Sequence, residues 1–175
     1  MPSRLLSALL ALGLLAIGNA PLAAKPGWDQ AANVKSAAER LADLQRARGA
    51  LGTFKFISDC YQTHGLASAY SEAFEACIVL DYIHSTLTAA IYQRIPEDAR
   101  QKMGSPEPQA LMNAMSQRIA QAFARYKVPP AEARAFLRLV EQQGLKVFSQ
   151  ARFPETAPDG DQPEEPKPPL KPEGE

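Results

Sequence analysis

The fold class is decided by one long segment, residues 71–94, whose sequence is SEAFEACIVLDYIHSTLTAAIYQR. Apolar side chains recur in it at spacings of three and four, which places them along one stripe of an α-helix. The stripe consists of Phe74, Cys77, Leu80, His84, Leu87 and Ile91. The segment therefore predicts the longest helix of the chain.

The segments on either side also predict helices. Before it, one helix is expected over residues 29–48 and a second over 53–64, separated by the glycines at positions 49 and 52. After it, we expect a short helix over 95–104, a helix that opens at Ser105-Pro106, and a last helix that follows Pro129-Pro130 and continues past Gly144. No segment alternates with the two-residue period of a strand. Because the connections are short, the sequence predicts an all-α fold, a small antiparallel bundle of four to five helices.

Cys60 and Cys77 are the two cysteines of the chain, and we expect them to form a disulfide. The midpoint between them falls at Ser68 and Ala69, inside the turn predicted between two helices. Residues equidistant from the turn of an antiparallel hairpin lie opposite each other, so the two sulfur atoms should meet. The sequence thus predicts one disulfide-linked helical hairpin.

A zinc site is the alternative use of these cysteines. Cys60 lies four residues before His64, while Cys77, Asp81 and His84 share one helix face. In the predicted hairpin the two histidines would lie about 16 Å apart along the axis, at ~1.5 Å rise per residue. One ion cannot reach both histidines, so we expect no metal and no other cofactor.

The first 24 residues have the layout of a secretory signal peptide. Arg4 supplies a positive charge, an apolar run follows over residues 5–17, and a small-residue stretch ends it. The run is about 13 residues, shorter than the ~20 needed to span a bilayer. We expect cleavage after Ala23 or Ala24, release into a periplasm or secretion, and no transmembrane segment in the mature chain.

Charge separates the rest of the chain into a body and a tail. The predicted tail, residues 154–175, contains seven prolines and seven acids against two lysines, a net charge of −5. The predicted helical domain, residues 25–153, contains 16 basic and 12 acidic residues, a net charge of +4. This composition predicts a disordered tail. A body of that charge is too weakly basic to indicate nucleic acid.

Catalytic motifs are absent from the sequence, which lacks haem-attachment, thiol-exchange, phosphate-loop and zinc-protease patterns. Asp81 and His84 are three apart on one helix and within hydrogen-bonding reach, as an acid that orients an imidazole would be. The same spacing is common for an ordinary polar contact. Glu72 and Glu75 could form a carboxylate pair for glycoside cleavage, but near the start of one helix they are better interpreted as charges that complement the helix dipole. We therefore predict no enzyme.

Two groups of residues are candidates for a ligand or partner surface. The favoured alternatives are a buried central hairpin for the aromatic group and a solvated edge for the basic group. The aromatic group comes from the hairpin, where Phe54 and Phe56 cannot share one helix face, and it consists of Phe54, Phe56, Tyr61, Phe74 and Tyr82. The basic group clusters around the turn before the last helix and consists of Arg118, Arg125, Arg134 and Arg138. An anionic partner, which could include the acidic tail itself, would suit the basic group.

The sequence favours binding over catalysis. The first hypothesis is an exported adaptor, chaperone-like or accessory protein whose partner is another exported or envelope protein. The second is a carrier of a small molecule or lipid, with a cavity lined by Phe74, Tyr82, Met112 and Met115. The third is an enzyme that uses Asp81 and His84. Neither the ligand nor the oligomeric state follows from the sequence.

Overall fold

The structure, a computed structural model, describes residues 27–154, and every regular element within them is helical. The elements in chain order are α1 (Gln30–His64), α2 (Glu72–Gln93), α3 (Glu97–Lys102), α4 (Pro108–Arg125), α5 (Pro130–Leu139), a π-helical turn (Val140–Gly144) and α6 (Leu145–Arg152). The all-α prediction is confirmed for this part of the chain. The predicted signal peptide, and the predicted tail after Pro154, lie outside the described residues.

Helix α1 bends sharply at Gly49 into a first arm (residues 30–48) and a second arm (residues 50–64). Gly49 has φ 64° and ψ −174°, a backbone conformation that is essentially restricted to glycine. The Arg40 guanidinium lies 4.8 Å from the centre of the Phe56 ring. In a straight helix the backbones of these two residues would be about 24 Å apart. The bend therefore brings the two arms towards each other.

Helix α2 is the central element of the core. The Ser71 side chain caps its N-terminus by accepting a hydrogen bond from the Phe74 amide at 3.2 Å. Its side chains are buried all round the helix, and those at most 1% exposed include Cys77, Ile78, Val79, Leu80 and Ile83. By length and composition it is also the one described helix that could cross a membrane, but 61% of its apolar window is buried inside the protein. A helix that is apolar all round is typical of the centre of a core.

The disulfide joins the second arm of α1 to α2. Cys60 and Cys77 are bonded, with their Cα atoms 5.8 Å apart. The rings of Tyr61 and Phe74 meet edge to face beside the bond, 5.6 Å apart. The predicted pairing is confirmed.

Helices α3 and α4 are tied to the rest by polar contacts. Arg100 is 8% exposed, and its Nη2 donates to both carboxylate oxygens of Glu107 at 2.8 Å, which links α3 to the start of α4. At the other end of α4, the Tyr126 hydroxyl lies 3.0 Å from the Gly65 carbonyl and 3.1 Å from the Ala67 carbonyl. These contacts place the end of α4 beside the loop between α1 and α2.

The π-helical turn packs its backbone closely against the core. A Cβ atom at Gly144 would lie 3.0 Å from Cδ1 of Ile83 and 3.4 Å from Cγ1 of Val34. Further along, Nη1 of Arg46 donates to the Ala151 carbonyl at 2.6 Å. The last part of the chain thus lies along the first arm of α1.

Three predicted boundaries differ from the structure. Helix α1 resumes directly after Gly49 instead of at Thr53, whose hydroxyl donates to the Gly49 carbonyl at 2.7 Å from within the first turn. Helix α4 begins at Pro108 rather than at Ser105, because a proline without an N–H fits the first helical position. The last predicted helix is interrupted over 140–144, since apolar spacing alone does not reveal a π-helical turn.

Candidate functional site

The first polar centre of the core is the Asp81 carboxylate, which is 2% exposed. Arg118 donates to it from Nε at 3.0 Å and from Nη2 at 2.8 Å. Ser85 Oγ donates to it at 3.0 Å and the Tyr61 hydroxyl at 3.2 Å. Burial and the neighbouring carboxylate raise the pKa of Tyr61, so its hydroxyl stays protonated as a donor. A hydrogen bond from His84, which the spacing of the two residues would allow, is not formed, and other donors bind this carboxylate.

His84 contacts a different partner. It is 6% exposed, and its Nδ1 lies 3.3 Å from the Gln45 side-chain amide, which donates when this nitrogen is unprotonated. Burial lowers the pKa of His84, and the Asp81 charge opposes this shift only in part. The imidazole is therefore a neutral side chain of the core, and an enzyme built on this pair gains no support from the geometry.

The second polar centre is the Glu75 carboxylate, which is completely buried. Trp28 Nε1 donates to it at 2.9 Å, the Gln30 amide at 2.6 Å and the Asn33 amide at 3.0 Å. The Tyr70 hydroxyl lies 3.5 Å away, and burial together with this carboxylate raises the pKa of Tyr70. Four neutral donors thus hold the head of α1 against the start of α2.

Glu75 is completely buried and Glu72 is exposed, a difference that their common interpretation as charges complementing the helix dipole does not anticipate. Both residues lie in the first turn of α2. Glu75 is not part of the predicted apolar stripe, so helical spacing does not indicate its burial. Its amide and indole donors come from more than 40 residues earlier, which periodicity cannot indicate.

No group of three or more potential metal ligands from His, Cys, Asp and Glu is found within residues 27–154. Both cysteines are bonded to each other. Cys60 and Cys77 are thus not available as thiolate ligands in this state.

An apolar groove of about 390 Å³ lies between α4 and α5. Its apolar walls come from both helices and from the loop between them, and they include Met115, Ile119, Phe123, Val128, Ala133 and Leu137. Ser116, Tyr82 and Arg134 supply polar atoms at its edges. It is an open groove whose walls are almost entirely hydrocarbon.

A second, basic groove of about 470 Å³ lies on the other side of α4, against the second arm of α1. Its charged and amide side chains are Arg118, Arg125, Gln62 and Gln121. Tyr61, Leu66 and Phe74 form apolar parts of its surface. This groove combines two guanidinium groups with aromatic carbon.

The predicted surface residues are divided between these grooves. The basic groove contains Tyr61, Phe74, Arg118 and Arg125, and the apolar groove contains Tyr82 and Arg134. Arg138 is exposed and lines neither groove. Of the residues predicted to line a carrier cavity, Met115 and Tyr82 share the apolar groove, Phe74 lies in the basic groove and Met112 lines neither.

The two remaining aromatic residues lie near the bend of α1. Phe54 is 51% exposed, and the half-buried Phe56 ring is flanked by the guanidinium groups of Arg40 at 4.8 Å and Arg48 at 5.6 Å. The two rings thus differ in exposure, as is typical of residues that cannot share one helix face.

Comparison with models of protein families, with curated proteins and with solved structures finds no match to this chain.

Proposed function

We propose that this chain is an exported, non-catalytic binding protein, and that the apolar groove receives an apolar segment of a partner protein. The proposal includes the finer architecture predicted from the sequence, a small antiparallel bundle in which α4 and α5 form the binding face. The partner is proposed to be another exported or envelope protein.

The observation that carries the proposal is the composition of the apolar groove. Ile119 and Phe123 are 3% and 6% exposed, so the floor of the groove is continuous with the core. A volume of 390 Å³ lies within the usual range of ligand sites, about 300–1,000 Å³, which are mostly apolar with few polar groups. Removing such a surface from water stabilises a complex.

The open shape favours a partner segment over an enclosed small molecule. A groove between two helices can take apolar side chains that project from a helix of another protein, as helix-in-groove complexes do. Arg134 at the edge would meet a polar or acidic rim of that partner. A carrier of a small molecule is the second candidate, because the volume would also accommodate an alkyl chain.

Filling the groove tests the proposal. Ala133 is half-buried in the groove wall, whereas Ala135, two residues along the same helix, is exposed and lines neither groove. We expect Ala133→Phe to reduce capture of the partner in cells at least several-fold, and Ala135→Phe to leave it unchanged. Capture is measured by crosslinking in the exported fraction, and melting curves of both variants show that they fold.

Native mass spectrometry of the exported protein separates the two candidates. A bare chain, with a crosslinked protein that Ala133→Phe removes, supports the adaptor. A discrete small-molecule adduct that leaves on unfolding, and that Ala133→Phe displaces, would replace the adaptor with the carrier. Equal crosslinking by both variants, without an adduct, would contradict binding in this groove.

A further inference from the structure

We infer that the basic groove is a docking site for the acidic, proline-rich tail of this same chain, residues 155–175. The inference concerns the face of α4 opposite the apolar groove, and it does not depend on which ligand the apolar groove takes.

The two arginines of the basic groove carry positive charge that the described residues do not fully balance. Arg118 binds the buried Asp81 through Nε and Nη2, and its side chain is still 36% exposed. No hydrogen bond from its Nη1 is formed within residues 27–154. Arg125 lies 5.9 Å from the centre of the Tyr126 ring and forms no ion pair in the described part of the chain. The guanidinium groups of Arg118 and Arg125 are therefore available to bind further carboxylates.

Apolar carbon lies next to these charges. The half-buried Tyr61 ring lines the groove and packs edge to face on Phe74, which is 2% exposed and lies beneath it, and Leu66 at the rim is 72% exposed. Aromatic-lined grooves bind proline-rich segments in the polyproline II conformation, because such segments lose little conformational entropy on binding. The occupant that fits best is thus both acidic and rich in proline.

The tail has both properties. It carries seven acids against two lysines, and its middle reads Pro163-Glu164-Glu165-Pro166. Polyproline II has about three residues per turn, so Pro163, Pro166 and Pro169 would lie along one edge. Glu164 and Glu165 would project beside that edge. This arrangement matches aromatic carbon flanked by guanidinium groups.

Along the axis of the first arm of α1, the length of the tail exceeds the distance to the groove. The tail begins close to Ala151, whose carbonyl accepts a hydrogen bond from Arg46 on α1. The groove contains Phe74, and the neighbouring Glu75 accepts a hydrogen bond from Asn33, near the start of α1. Asn33 and Arg46 are thirteen residues apart, about 20 Å along a helix. Ten residues from Pro154 to Glu164 span about 31 Å in polyproline II.

A tail within the same chain also has an advantage over separate partners. Tethering gives a local concentration of order millimolar for short linkers, so weak contacts with a groove suffice. An acidic, proline-rich segment of another protein would have to displace the tail, which makes the tail an autoinhibitory segment for this face.

Site-specific photocrosslinking in the full mature chain tests the inference. Gln162, which directly precedes Pro163, is replaced by p-benzoylphenylalanine. The crosslinked peptides are then identified by mass spectrometry. We expect crosslinks to residues 61–66 and 118–125, in a product that runs as a monomer at every protein concentration.

Charge variants provide matched controls. Arg125→Glu should reduce the yield of these crosslinks several-fold, while Arg138→Glu, the same charge change at an exposed residue outside the groove, should leave it unchanged. Combining Arg125→Glu with Glu164→Lys and Glu165→Lys should restore the yield. Arg118 is left intact because it holds the buried Asp81.

Two results would overturn the inference. Crosslinks spread over the surface, with no dependence on Arg125, would show that the groove does not hold the tail. Crosslinks found only in dimers, with a yield that rises with protein concentration, would assign the groove to the tail of a second copy.

Discussion

Glu75 is a completely buried carboxylate, and no basic residue among residues 27–154 lies in an ion pair with it. Burial of a charge is costly unless donors replace the lost water. Trp28, Gln30 and Asn33 supply three such donors, all of them neutral. The position of the N-terminal end of α1 therefore depends on a hydrogen-bond acceptor on α2 as well as on apolar contacts.

Glu75→Gln should lower the free energy of unfolding by about 1–3 kcal/mol, because one accepting oxygen becomes an NH₂ group that faces other donors. Glu72→Gln, three residues earlier and exposed, is the matched control and should change stability little. Urea unfolding of both variants checks this. Equal stability of the two variants would mean that the donors around Glu75 contribute nothing to folding.

His84 makes stability depend on pH. Burial lowers its pKa below the ordinary value of 6.5, so the folded protein binds this proton less readily than the unfolded chain does. The contribution of the neutral imidazole to the free energy of unfolding is fully present above pH 6.5. It is lost as the pH falls from there towards the pKa of the folded state, and the free energy of unfolding then changes by at most about 1.4 kcal/mol per pH unit.

We therefore expect His84→Gln to flatten the fall of stability between pH 7.5 and pH 5.5. The charged group that opposes this pKa shift of His84 is Asp81, which Arg118 already binds. The wild-type protein, unfolded under the same conditions, is the reference for this slope. Chemical unfolding at several pH values measures it, and an unchanged slope in His84→Gln would contradict a buried neutral imidazole.

At the scale of helices, the bend of α1 depends on one residue. Gly49→Ala places a Cβ atom at φ 64° and ψ −174°, which should cost about 1–3 kcal/mol. The loss is purely conformational, since a Cβ there would meet nothing within 4 Å. Gly27→Ala, which also has open space but no positive φ, is the control, and thermal melts compare the two. A Gly49→Ala protein as stable as the control would show that the bend tolerates other residues.

The disulfide between α1 and α2 closes a loop with a sequence separation of 17. In the chain-entropy model a loop of this length is stabilised by about 3 kcal/mol. Cys60→Ser should therefore lower the melting temperature while the helical circular-dichroism signal persists, because helix packing does not require the bond. An unchanged melt, together with free thiols in the native wild type, would disprove the bond.

The positions of the helices and the contacts between them were predictable from the sequence to different degrees. Apolar spacing and the caps at Asp29 and Ser71 are local features, and they locate the starts of α1 and α2 to within a residue. The cysteine pair was predictable because two residues allow one pairing. Arg118 was expected on a basic surface, whereas its bond to Asp81, 37 residues away, depends on how α4 lies against α2. Local spacing contains no such information.

At the scale of the whole molecule, the two grooves could not be predicted from local spacing either. Both grooves use α4, whose opposite faces read simply as core and surface in the sequence. Whether Met115 and Ile119 meet other side chains or an open groove depends on the position of α5, which the turn at Val128 and Pro129 sets. Residue types on a helix face can be predicted from spacing, whereas the space between helices cannot.

The chain as a whole depends on the compartment in which it folds. Small domains are stable by about 5–15 kcal/mol in total, so a disulfide worth ~3 kcal/mol is a large share of that free energy. Reducing cytosol would withhold this bond, and an oxidising exported compartment would supply it. The apolar run at residues 5–17 is the feature that would direct the chain there.

We therefore expect the exported protein to begin at Ala24 or Lys25 and to be lighter than its reduced form by two hydrogen atoms. The same residues produced without the leader in reducing cytosol should have two free thiols and melt at a lower temperature, and oxidation after purification should restore the higher melt. Intact mass, thiol titration and circular dichroism measure these quantities. A leader still attached in the exported fraction would contradict cleavage, and free thiols there would contradict oxidation as the reason for export.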